Sequence, residues 1–125
     1  MQPNTLLLRQ VNRSFVQSGR VSSQAFRPTA KDNGKLSEYD GDIVSPETCW
    51  NHFTSAPGCS SAGVMAVSYF ECELHELPVI EDRIPFPEHC SIDFSAHNNS
   101  AIDRKAKVIT ALARDRGWLY LAPTE

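Results

Sequence analysis

The densest hydrogen-bonding chemistry in the chain lies between Gly19 and Pro28, Gly-Arg-Val-Ser-Ser-Gln-Ala-Phe-Arg-Pro. Arg20, Ser22, Ser23, Gln24 and Arg27 surround a short β-prone core of Val21 and Phe26. An arginine presents a planar fork that pairs with phosphate or carboxylate oxygens. A core strand does not need that much polar chemistry. Read with a period of two, Arg20, Ser22 and Gln24 share one face while Val21, Ser23 and Ala25 share the other. The stretch is therefore expected to be a strand with one recognition face. Such a strand is suited to docking another protein by β-augmentation, the backbone giving affinity and Phe26 and Arg27 giving selectivity.

Two further clusters carry ligand-type residues. Cys49-x-x-His52 and Cys72-x-x-His75 are Cys/His pairs at helical spacing, and four such ligands suit tetrahedral zinc. Structural zinc sites more often draw ligands from turns, and cysteine is among the most buried residue types. Core thiols with surface histidines are the expected reading, with no metal and no cofactor. His89 and Asp93 lie four apart, on one face of a strand and about 13 Å from each other at the usual rise. They would edge a cleft with Ser22 and Gln24 if the two strands are neighbours. His89 and Cys90 are adjacent, so a strand points them to opposite faces and they form no nucleophile–base pair. Cys59 stands in a Gly-Cys-Ser-Ser-Ala-Gly turn with no partner at a fixed spacing.

The bulk properties narrow the partner. A chain of 125 residues fits one domain with one core. Its net charge of −3 disfavours a dedicated nucleic-acid binder, which usually carries a basic excess. Nucleotide or nucleic acid stays open as a partner because Arg9, Arg13, Arg20 and Arg27 cluster early in the chain. No apolar run approaches the roughly 20 residues of a membrane span, and the first residues lack a basic, apolar leader. A cytoplasmic protein whose cysteines are free thiols is expected.

The elements that must position these residues follow from pattern and punctuation. Thr5 to Val11 is apolar until Arg9 and reads as a first, covered strand. Arg20 to Phe26 reads as a second, ended by Pro28. Thr29 to Gly41 is polar and reads as a long exposed loop. Ser45-Pro46-Glu47 opens a helix to about Ser55. Ala62 to Val67 is a buried strand. Ser68 and Glu71 form a capping box for a short helix to Glu76, stopped by Pro78. Val79 to Glu88 is an extended, proline-rich connection, and Cys90 to Phe94 a strand. Ile102, Ala106, Ile109 and Ala113 mark an amphipathic helix ended by Gly117, followed by a strand from Trp118 to Leu121. The order β-β-α-β-α-β-α-β predicts one α+β domain over residues 1–125, a single mixed sheet of about five strands carrying three helices.

Two resemblances attach to these residues. Arg9-Gln10-Val11, Gly19 to Pro28, Tyr69 to Val79 and Pro87-Glu88-His89 through Phe94 together resemble a pattern in short uncharacterised bacterial proteins. The pattern covers most of the chain, implies a bacterial origin and carries no activity with it. Arg9, then Ser22-Ser23, then Glu71-Cys72-Glu73 is similar in order to arginine-serine-glutamate ADP-ribosyltransferases. That likeness implies an arginine on dinucleotide phosphates and a glutamate on a ribose hydroxyl, with Arg9, Ser22 and Glu73 as the catalytic candidates. The interval from Arg9 to Ser22 is short for the helices that family places there. The first expectation is a small accessory protein that binds another protein, as in a defence or toxin–antitoxin system. The alternatives are an enzyme acting on a nucleotide or RNA phosphate and a zinc-stabilised binding module.

Overall fold

In the computed structural model, which describes residues 1–123, the chain is an α+β domain. Its strands are β1 (Leu6–Val11), β2 (Val16–Gln17), β3 (Arg20–Val21), β4 (Lys35–Asp40), β5 (Gly63–Ser68), β6 (Val79–Ile80), β7 (His89–Asp93) and β8 (Tyr120–Leu121). The helices are α1 (Pro46–Thr54), α2 (Tyr69–Leu74) and α3 (Asn99–Arg116). Among the described residues, six strands form one sheet in the order β6-β7-β4-β1-β5-β8, and β2 and β3 form a separate hairpin. Every pairing in the large sheet is antiparallel. The class matches the expectation, with one strand more than the five foreseen. No helix is long and apolar enough to cross a membrane among these residues.

Alternation along β1 divides the core in two. Leu7 and Val11 point to one face, where Phe26, Phe94, and Ile109 and Ala113 of α3 cover them. Leu8 points to the other, against Tyr39, Val64, Ala66 and Cys49 of α1. Helices thus cover both faces of the sheet. The helix starts follow their caps: the Ser45 hydroxyl accepts from the Thr48 amide, the Ser68–Glu71 box closes reciprocally, and the Asn98 side chain accepts from Ala101. Gly63 lets the last strand approach, since a Cβ there would stand 2.3 Å from the Tyr120 carbonyl oxygen.

Two expected elements are corrected. The strand foreseen over Arg20 to Phe26 stops at Val21, and Ser23–Phe26 winds into one 3-10 turn. Ala25 and Phe26 are both fully buried; a strand would have sent them to opposite faces, whereas the turn seats both in the core. Tertiary burial overrides β propensity here. The loop foreseen over Thr29 to Gly41 contains β4, an interior strand flanked by β1 and β7. Its charged residues disguised it: Glu38 and Asp40 are buried, 2% and 3% exposed.

Candidate functional site

The centre of the sheet is forked. β1 and β4 pair only at Leu7 with Asp40 and Leu8 with Tyr39. Beyond that, β1 continues on β5 as far as Val11, and β4 continues on β7 as far as Lys35. Continuing the lost register would set Arg9 against Glu38 and Gln10 against Ser37. A cleft of about 410 Å³ occupies the gap. Its lining includes three consecutive residues from each strand, Leu8 to Gln10 and Ser37 to Tyr39. Consecutive strand residues point to opposite faces, so a cavity that touches all of them runs between the strands.

Backbone phase shows which groups the fork leaves free. The Gly41 amide donates to the Leu6 carbonyl, and the Ala62 amide donates to the Val11 carbonyl. Even-numbered residues of β1 therefore face β4, and odd-numbered ones face β5. The Gln10 N–H and C=O thus open into the fork without a ladder partner. On β4 the Phe94 amide donates to the Gly34 carbonyl and the Asp40 amide to the Glu88 carbonyl, so Ser37 also faces the gap.

Arg9 spans the gap. Its Nε donates to the Ala25 carbonyl at 2.7 Å, and one terminal nitrogen donates to the Ser37 carbonyl at 3.0 Å. A guanidinium has five N–H groups, so others remain. No carboxylate lies within 4.0 Å of it among the ion pairs of the described residues. Glu38 is fully buried, and neither of its oxygens has a hydrogen-bond partner. Desolvation by burial pushes its carboxyl well above the usual range, and the Arg9 charge only partly opposes that. The Gln10 amide nitrogen donates to the Cys49 carbonyl at 3.1 Å, while its side-chain oxygen is buried without a partner.

Aromatic rings wall the α1 side. Tyr39 and Phe86 stack with centroids 5.1 Å apart, and His52 and His89 meet Phe86 edge-on at 4.7 and 5.4 Å. Tyr39 Oη and His52 Nδ1 are 2.8 Å apart. Burial first, with smaller effects of nearby charge, pushes the Tyr39 hydroxyl up to about 12. His89 Nδ1 is fixed by Asp82 Oδ1 at 2.9 Å, and the Ser91 hydroxyl donates to the other Asp82 oxygen. The three buried thiols are poorly placed to act as nucleophiles: burial pushes Cys49 up to about 12 and drives Cys72 and Cys90 further in the same direction.

The sequence candidates fall in different places. Arg9 and His89 line the fork cleft. Asp93 does not join His89; it accepts from the Ser95 amide and stands opposite Lys35. Arg20 and Gln24 are exposed, and Phe26 is in the core. Arg27 is paired with Asp103 of α3. Ser22 opens the 3-10 turn with its hydroxyl buried and unpartnered. Glu73 is exposed on α2 and lines a separate shallow hollow beside Tyr69 and Leu77. Arg9, Ser22 and Glu73 therefore do not line one cavity. Cys49 and Cys72 lie in cores on opposite faces of the sheet, so Cys49, His52, Cys72 and His75 cannot close on one ion.

Sequence reasoning missed Glu38, Gln10, Tyr39, Phe86 and Asp82. Leu36 and Tyr39 inside a polar run were the only signal for β4. Asp82 meets His89 across a proline-rich connection, which spacing alone does not reveal. Comparison of the chain with protein-family models, with curated proteins and with solved structures gives no match.

Proposed function

We propose that the chain is a small accessory protein that binds another protein, and that the fork between β1 and β4 takes up an extended segment of that partner. One observation carries this reading: two strand edges face each other across a cleft, with the Gln10 amide and carbonyl lacking ladder partners. Unpaired strand edges recognise extended chain through its backbone, and adjoining apolar pockets select its side chains. Leu8, Phe53 and Phe86 supply apolar wall. A bacterial setting rests on the resemblance of the sequence alone. Incorporation of a photoreactive residue at Ser37, compared with one at Asp115 on α3, tests it. In native-host cells the Ser37 probe yields a discrete protein adduct that the Phe86→Ala variant loses. Equal adducts from both positions, or none from Ser37, contradict the reading.

A second reading is an enzyme acting on a nucleotide or RNA phosphate. It is favoured by Arg9 and the Asp82-oriented His89 lining one cleft. It ranks second because Ser22 and Glu73 do not line that cleft. Expression of wild type and Arg9→Ala in cells tests it: equal growth, unchanged NAD and no modified target count against an enzyme.

A further inference from the structure

Resting on that binding reading, we infer that the segment taken up in the fork is the carboxyl-terminal end of a partner chain, its terminal carboxylate received by the Arg9 guanidinium.

The fork is closed at one end. The Leu8–Tyr39 pair seals it, so a strand entering between β1 and β4 cannot run through and has to stop there. An internal segment would need to turn back within a gap that offers only Arg9 to Val11 on one side and Lys35 to Glu38 on the other. A chain terminus meets no such obstacle.

The charge at the closed end selects which terminus. Arg9 is next to the sealing residue Leu8, and its guanidinium bonds Ser37, two residues before Tyr39. The nearest acid in the lost register, Glu38, forms no hydrogen bond or ion pair with it. Burial raises the Glu38 pKa well above its usual range, which works against a carboxylate there that would cancel the cation. Asp32 accepts from the Thr29 amide and hydroxyl at 2.8 and 2.6 Å and forms no ion pair with Arg9. An amino terminus would face like charge. A carboxylate there gains charge-assisted hydrogen bonds from the remaining guanidinium N–H groups.

The rest of the cleft fits the last residues of such a chain. The Gln10 carbonyl and amide face the entering backbone, and the buried, unpartnered Gln10 side-chain oxygen accepts one more N–H. Phe53 and Phe86 line the space beside it, so the final side chain is apolar or aromatic.

The test uses the wild-type full chain and two libraries of random heptapeptides on a carrier, one with free carboxyl termini and one with free amino termini. Binders are expected only from the first. The best binder, synthesised as its carboxyl-terminal amide, is expected to lose about tenfold or more in affinity. Arg9→Gln is expected to weaken the acid to the level of the amide and to leave the amide unchanged. The acid–amide comparison needs no variant, so it stands if Arg9→Gln fails to fold. A binder whose photo-adduct maps to the fork but that binds equally as acid and amide overturns this inference and leaves the fork as a binding site. No adduct in the fork from either library overturns both.

Discussion

Arg9 and Glu38 stand on facing strands where the β1–β4 register would oppose them, yet they form no ion pair. The arginine donates instead to the Ala25 and Ser37 carbonyls, and the acid is left buried and unpartnered. A charge at such a site is costly, and burial raises the Glu38 pKa well above 4.5. In the unfolded chain this acid ionises above about 4.5, while the folded chain holds the proton more tightly. Folding is therefore opposed increasingly as pH rises from that value toward the folded pKa. Over that window the wild type is expected to lose up to about 1.4 kcal/mol per pH unit relative to Glu38→Gln. Urea unfolding of both proteins from pH 4 to 7 checks this, and parallel curves would refute it.

Glu71 has the opposite sign. Burial works to raise its pKa, but hydrogen bonds from Arg116 and the Ser68 amide outweigh it and hold the carboxyl below the usual range. This stabilisation is present above the unfolded value and is lost as pH falls through the lower folded value. Glu71→Gln is expected to be about 1 kcal/mol less stable at pH 7. Its deficit should shrink between about pH 5 and 3, as measured by thermal or denaturant unfolding. A deficit constant with pH would contradict the assignment.

The cysteines should differ sharply in reactivity. Cys49, Cys72 and Cys90 are buried, and their thiols are pushed up by burial, whereas Cys59 is partly exposed. The thiolate is the reactive form. A thiol reagent at about pH 8 is expected to modify Cys59 first, and the others only on unfolding. Rapid reaction of Cys49, seen by mass spectrometry of labelled peptides, would mean that the α1 side of the sheet opens.

Phe86 should matter to binding more than to folding. It stacks on Tyr39 and is touched by His52 and His89 at the cleft wall. Phe86→Ala is expected to cost about 1–3 kcal/mol of stability, below the range of a fully buried ring because it is only partly buried. It should also weaken the captured peptide by tenfold or more. Unaltered peptide affinity by calorimetry would place the peptide elsewhere.

The elements with local signatures were legible in the sequence. Ser45-Pro46, the Ser68–Glu71 box and Gly117 punctuate helices by hydrogen-bonding rules that act within a few residues. Leu6 to Leu8 and Val64 to Val67 announce buried strands by continuous apolarity. β4 was hidden because its polar residues turn inward, Glu38 and Asp40 among them, so alternation did not reveal an interior strand. The fork was beyond reach for a different reason. It depends on where the pairing between Leu8 and Tyr39 stops, a relation between segments some 30 residues apart. Arg9 could be singled out as a phosphate- or carboxylate-type group, but its place beside Ser37 and Ala25 belongs to the tertiary structure. Phe26 shows the converse, since a residue assigned to recognition in the sequence became part of the core.

The central claim is that β1 presents an open edge at the fork, and amide hydrogen exchange at Gln10 tests it most directly. Arg9 and Val11 face β5 with their backbone groups, while Gln10 faces the gap. In the free protein the Gln10 amide is expected to exchange much faster than those of Arg9 and Val11, and to become protected when a carboxyl-terminal peptide binds. A Gln10 amide as protected as its two neighbours in the free protein, or one unchanged by a bound peptide, would contradict the account.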